Sequence, residues 1–591
     1  MGRMTWAEYR GPAVIQFPAV SDAIRPLDFM IPIGIGIAPL RNPYIFAGSP
    51  PLSPPTTMAR MKKKGALSRL RTATSRAATV ARRKGVVVVG RAGDCGGGGE
   101  DRISDLPDDL LRLVLRRLDT RTALATGALS RRWASLCRGL DALDFLVSDV
   151  LPPRYHRCRD HLLLHHPHAT KGIDADDAKV VAGRYERLSM RKMVASIDSF
   201  LDAAPDDDDP DRRRRITRLR LEFIINHHSD SINRLIATAI DAWGVKDLEI
   251  LAGTPAHQLR PLDRLHIFPH QGICSDPRSS TLTSLTLANC TIPPLQGFQA
   301  LRILVLQHLP SSTRPADYES VFTSCTQLRV LHLKSCMFDG VLRVNAPCSS
   351  IEQLVFDHCG GGLIILYALP KLEEMAVVQT CVWFQRGSMP CLKRLNLIFR
   401  YKHDHHSTSM PWGMNLMQIA EYTPEITELF LEFTGRGAAT MDAPPSSPLP
   451  SLPNLRKLVV VVPSSWDVSW PRLLLEVAPC LEILHVHVAA CEDEPRGEIS
   501  WRRCESRHRK LKELGMSGFE GTGRQVYFVN FVMEVSLALK SVSLCKYAGV
   551  YWDYDIVRED RRWSSDDRAD VLKQIGERVS CTDIPVQLVR E

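Results

Sequence analysis

No stretch of the 591-residue chain is apolar for long enough to span a bilayer. The longest candidate, residues 29–40, is about 12 residues and is broken by Pro32, Gly34, Gly36 and Pro39, far below the roughly 20 that a helical span requires. Acidic residues are missing altogether between Phe29 and Gly93, where twelve Lys and Arg fall. The first 93 residues therefore carry a net +12 and the remaining 498 a net −3, so the formal +9 belongs to a tail and not to a basic fold. Sixteen cysteines occur without one Cys-x-x-Cys pair, and no secretory leader opens the chain. Free thiols in a reducing compartment, nucleus and/or cytoplasm, are the expectation.

Chemical signatures are scarce as well. No phosphate loop, dinucleotide fingerprint or Gly-x-Ser-x-Gly elbow is present. His156, His161, His165, His166 and His168 crowd one segment near Cys158, and His403, His405 and His406 another. Neither has the fixed spacing of a zinc site, so both read as surface loops and no metal or cofactor is expected.

What is there begins at residues 103–136, which hold three short amphipathic helices. Pro107 suits a first helical position, and Asp108 and Asp109 suit the positive end of the helix dipole. Leu110, Leu111, Val114, Leu115 and Leu118 follow at helical spacing. A second helix is predicted near residues 123–129. Ser130 can cap a third, which carries Trp133 and Leu136. About 35 residues bury little surface alone, so such a unit needs a neighbour or a partner.

The order Leu106-Pro107-Asp108-Asp109-Leu110-Leu111, then Leu129-Ser130-Arg131-Arg132-Trp133, resembles the F-box. That resemblance implies docking on the Skp-type linker of an SCF (Skp–cullin–F-box) ubiquitin ligase. Leu106, Pro107, Leu110, Leu111, Val114, Leu118 and Trp133 are the expected linker-binding residues.

From Ile216 a weak repeat sets in: apolar-x-x-apolar-x-apolar, often with Cys three positions later. Clear copies run Leu282–Leu285–Leu287–Cys290, Leu328–Leu331–Leu333–Cys336 and Ile351–Leu354–Phe356–Cys359. Other copies start at Ile216, Val245, Leu262, Leu301, Leu372, Leu392, Ile426, Leu455, Leu481, Leu511 and Leu539, at intervals of 17 to 34 residues. The period is similar to that of leucine-rich repeats. Each alternation makes a short strand with one buried face, and one repeat cannot close a core, so neighbours must stack into a curved solenoid. Leu285, Leu331, Leu354 and Leu458 should point into that core, while Thr286, His332 and Val355 should face outward. Leu511–Leu514, Gly518-Phe519-x-Gly521, a helix with Phe528, Phe531 and Val532, and Leu539–Leu544 resemble the FBD module that follows repeats in many plant F-box proteins.

The expected fold is therefore an α/β repeat: a three-helix F-box, then an irregular leucine-rich-repeat solenoid. Residues 1–99 read as a disordered basic tail, with a stretch at 61–84 that resembles a transit peptide in composition but not in position. The F-box spans 100–145, a variable linker region 146–215, the solenoid 216–505, FBD-like capping repeats 506–550, and a C-terminal tail 551–591. The expected function is a non-catalytic substrate receptor, with the linker, through it cullin, and an unknown protein substrate as partners. A repeat scaffold without ubiquitin transfer, or a nucleic-acid binder using the basic arm, are the alternatives.

Overall fold

Spacing between repeats decides what each repeat is made of. The computed structural model describes residues 103, 105–163, 175–202, 216–225, 228–256, 264–269, 280–385, 389–401, 422–435, 451–463, 474–489, 507–546, 563–576 and 584–588. The basic tail and His165, His166, His168, His403, His405 and His406 lie outside them. By its contacts the chain divides into two units, Asn42–Leu111 and the remainder. Of the smaller, the described part is a turn and the first residues of the helix that follows.

That helix is α1 (Asp108–Leu115). Pro107 precedes it as the capping residue, one place earlier than the sequence suggests, and its carbonyl accepts from the Leu111 amide at 3.1 Å. Leu118 falls in the turn beyond the helix. The second helix, α2 (Thr120–Thr126), starts three residues before its predicted position because Asp119 caps it by accepting from the Thr122 amide. The third, α3 (Arg131–Arg138), begins where expected, with the Ser130 hydroxyl accepting from the Trp133 amide.

Directly after α3 comes strand β1 (Ala142–Leu146), which pairs in parallel with β2 (Arg218–Ile224). Two helices lie between these strands, α4 (Pro153–Leu163) and α5 (Ala175–Asp202), in a region that the sequence pattern left without elements. Tyr155, Cys158, Leu162, Ala178, Ala182 and Ala256 pack together where they meet. The Glu186 carboxylate is buried there and accepts from the Tyr155 hydroxyl at 3.0 Å and the Ala256 amide at 2.6 Å.

The remaining strands of the large sheet are β3 (Asp247–Gly253), β4 (Ser284–Ala288), β5 (Ile303–Gln307), β6 (Val330–Lys334), β8 (Gln353–Asp357), β10 (Glu374–Val378), β12 (Arg394–Tyr401), β13 (Glu428–Gly435), β14 (Lys457–Pro463), β15 (Ile483–Ala489), β16 (Glu513–Ser517), β17 (Ser541–Cys545) and β18 (Val586–Leu588). With β1 and β2 they form a 15-stranded parallel sheet in chain order. Thirteen of the fourteen repeat starts lie two residues before a strand. The exception is Leu262, outside the described residues: β3 hydrogen-bonds straight to β4, so that copy adds no rung.

Long repeats have room for a helix on the return path; among the described residues α6 (Ser229–Asp241), α7 (Pro315–Ser324) and α8 (Gly523–Val535) lie on such paths, and residues 474–477 are helical as well. The shorter repeats that begin at Leu328, Ile351 and Leu372 return instead through β7 (Val341–Asn345), β9 (Leu363–Ala368) and β11 (Val382–Phe384), which form a second, three-stranded parallel sheet. Past β17, the stretch read as a tail contributes α9 (Ser565–Gly576) and β18.

One repeat position recurs with a left-handed backbone. Asn289, His308, Ser335, His358 and Gln379 all have φ between 49° and 55° and follow β4, β5, β6, β8 and β10 by one residue. Each amide donates to a carbonyl of the next rung, as Ser335 does to Asp357 at 2.6 Å and His358 to Val378 at 2.8 Å. This turn aims the next side chain inward, where Cys290, Cys336 and Cys359 are buried. The Cys336 and Cys359 thiols sit beside the carbonyls of Leu306 and Leu333, at 3.4 and 3.2 Å. The repeated Cys is thus a small buried spacer, as its position in the pattern suggests.

The tightest crossing lies between β7 and β9. A methyl on Gly362 would fall 2.2 Å from the Gly340 carbonyl and 2.8 Å from the Phe338 ring, and Phe338 is itself fully buried. Gly362→Ala should therefore cost about 1–3 kcal/mol through overpacking. A urea midpoint that matches the parent chain would show that this crossing can relax freely.

Candidate docking surfaces

Two surfaces have the build of docking sites: the helices at 106–138 and the strand ladder. Burial splits the α1 leucines into two sides. Leu111 and Leu115 are buried, whereas Leu110 is 46%, Leu113 54% and Val114 43% exposed. Leu110, Leu113 and Val114 are three and four residues apart, so they share the solvent side of the helix. Leu118 is exposed in the following turn, Pro107 is exposed and Leu106 half-buried. Trp133 is buried in α3. Leu111 and Trp133, expected to bind a linker, are thus buried rather than exposed. Leu113 and Ile103 are exposed side chains that sequence reading passed over, and Leu129, named there only as part of the motif, is exposed as well. For Leu113 the signal was available in its spacing from Leu110.

Helices α2 and α3 are not a separate bead on the chain. In α2 the Thr120 hydroxyl accepts from the Asp144 amide of β1 at 2.7 Å. Arg116 pairs with Asp141 at 3.0 Å, and the Asp141 carbonyl accepts from the Thr217 amide at 2.7 Å. Phe145 of β1 meets Phe200 of α5 edge to face at 5.8 Å, and Phe200 meets Trp243 at 5.9 Å. Residues 112–146 therefore cap the first rung of the ladder directly.

On the ladder, Leu285, Leu331, Leu354 and Leu458 are fully buried, which confirms the strand phase. The opposite face is less open than expected. Thr286 is buried, and His332 and Val355 are half-buried. In register, Thr286 lies between Glu249 and Val305, and lateral packing along the ladder covers it. Charges on this face are largely paired across rungs: Arg220 with Glu249 at 3.3 Å, Glu374 with Arg394, and Glu428 with Lys457. Burial raises the Glu249 carboxyl above its usual range, against the pull of Arg220 and Arg218. Burial also pushes the His332 and His487 imidazoles down to about 4, so both are neutral at pH 7.

The structure offers no activated thiol at Cys290 or Cys359. Burial raises the Cys290 and Cys359 thiols well above the range in which a thiolate forms at neutral pH. His156 and His161 lie on α4, and the nearby Cys158 is part of its packed core. Among the described residues no group of three His, Cys, Asp or Glu side chains is placed to hold a metal ion. None of the described helices is long and apolar enough to cross a membrane.

A short capped helical unit run into a ladder of parallel strands is the architecture of an F-box/leucine-rich-repeat protein. Residues 103–143 match the F-box domain. Residues 214–566, more than half of the chain, match the family described as the At1g61320/AtMIF1 LRR domain, and the chain belongs to that family. It is similar to the F-box protein At4g27050 of Arabidopsis thaliana, 27% identical over 314 residues, which cover 52% of this chain and 51% of that one. The matched region thus spans about half the length of that relative. The putative F-box/LRR-repeat protein At3g44810 of the same plant is 24% identical over 64% of this chain and 77% of its own length. The Arabidopsis F-box/FBD/LRR-repeat protein At5g56420 is 22% identical over 75% and 90%. At the FBD-like module, β16, α8 and β17 follow in the order the sequence pattern suggests. A capping box between Thr522 and Gln525 starts α8.

Proposed function

We propose that this chain is the substrate-recognition adaptor of an SCF-type ubiquitin ligase acting in the nucleus or cytoplasm. The solvent side of α1 docks on a Skp-type linker, which joins the chain to cullin. The ladder holds a protein substrate, and the chain itself performs no bond chemistry. Rate enhancement comes from proximity: a captured substrate presents its lysines to a ubiquitin-charged enzyme at high effective concentration.

The observation that carries this reading is the set of exposed aliphatic side chains on α1, Leu110, Leu113 and Val114. Neighbouring exposed apolar side chains on one helix side form the kind of patch that marks an interaction site. The direct attachment of α2 to β1 supports it, because an adaptor must hold two partners at a fixed spacing. Affinity purification of the full chain, with and without proteasome inhibition, tests the reading. Linker and cullin should co-purify in both, and substrate should accumulate with the inhibitor. Partners without linker or cullin would make the chain a scaffold instead.

A further inference from the structure

Among the described residues nothing covers one face of helix α5. Its inner side carries Ala178, Ala182, Glu186, Ser189, Met190, Met193 and Ile197, all buried. The opposite arc carries Val180, Val181, Arg184, Arg187, Leu188, Arg191 and Lys192. Val180 is 69% and Leu188 46% exposed, and the four cationic residues are exposed as well. At 3.6 residues per turn these seven residues line one side over about 18 Å.

From Val180 to Lys192 the charge on this arc is of one sign, and Asp177, one turn before Val181, is the exposed carboxylate that precedes it. Between Lys179 and Ser196 the only carboxylate is Glu186, buried on the inner side and held by Tyr155 and the Ala256 amide. Asp198, further on, is taken by Arg234 at 2.7 Å. Among the described residues no carboxylate pairs with Arg184, Arg187, Arg191 or Lys192. Arg184 with Arg187 and Arg187 with Arg191 are neighbours at three- and four-residue spacing, where like charges repel and weaken a helix. Carboxylates from a partner would relieve that repulsion.

We infer that this face of α5 docks an acidic protein segment that also carries aliphatic side chains. Three guanidinium groups match carboxylates in bidentate geometry. Val180, Val181 and Leu188, interleaved among them, give such a segment apolar contact that a phosphate backbone could not use. A bilayer is disfavoured because the apolar side of the helix is committed to the protein core, leaving the charged arc outward. This surface stands independently of the F-box reading.

The test uses the full chain and a fluorescent peptide of about 14 residues built from Glu-Glu-Leu repeats, long enough to span the face. The same peptide carries a photo-cross-linker. Binding should weaken with added salt and vanish when Gln replaces Glu. Cross-links should map to residues 180–195. The exposed triple variant Arg184→Glu/Arg187→Glu/Arg191→Glu should lose about tenfold or more in affinity, and Leu188→Ser should lose part of it, with unchanged circular dichroism. Equal binding by the triple variant, or cross-links confined to the basic stretch at 61–84, would overturn the inference. So would tighter binding of a short DNA duplex or of phosphatidylserine vesicles that the triple variant abolishes.

Discussion

Leu331→Ala should destabilise the protein by about 2–5 kcal/mol, the usual loss when a buried leucine is truncated in a core that cannot collapse around the gap. Leu331 is fully buried on β6, paired in register with Leu304 of β5 and Leu354 of β8. Its neighbours are fixed by parallel rungs on both sides, so relaxation is limited. Urea denaturation followed by circular dichroism reads the change as a lower midpoint. Because each rung contacts only its neighbours, the slope of the transition should also fall if the ladder opens at that point. A neutral Leu331→Ala beside an unfolding His332→Ala would reverse the strand phase and remove the basis for a binding face.

Loss of linker binding without loss of fold is the second large effect expected. Leu110→Asp with Val114→Asp places two charges where exposed aliphatics now stand, so the folded state has little to lose. Interfaces concentrate their energy in a few anchors, and two charged anchors in a desolvated patch should reduce affinity by about 100-fold or more. Titration of the purified variant with a Skp-type linker checks this. The variant must sit at exposed positions, because truncating Leu111 or Trp133 would confuse docking with unfolding. Unchanged affinity with both aspartates present would move the linker surface off this side of α1.

The repeat phase was legible in the sequence because a period of two over an apolar-x-apolar core admits one buried face. The left-handed residue after each strand was not, since Asn289, His308, Ser335, His358 and Gln379 share no side-chain type. The second sheet was hidden for a related reason. Stretches such as Val341–Asn345 are five-residue alternations that resemble another copy of the first strand, and only the interval to the next repeat shows that no helix fits. Strand β1 was invisible because its partner, Arg218–Ile224, lies beyond two intervening helices. At the candidate site, helical spacing found the apolar positions of α1. It could not tell Leu111 and Leu115, which face the core, from Leu110 and Val114, which face solvent. A broad apolar face with two uses has the same periodicity as one with a single use.

Size-exclusion chromatography with light scattering tests whether this chain is, as proposed, the linker-bound adaptor of a ubiquitin ligase. Purified full-length chain mixed with an equimolar Skp-type linker should elute as a single one-to-one complex. Separate elution of a folded chain and free linker would contradict the account.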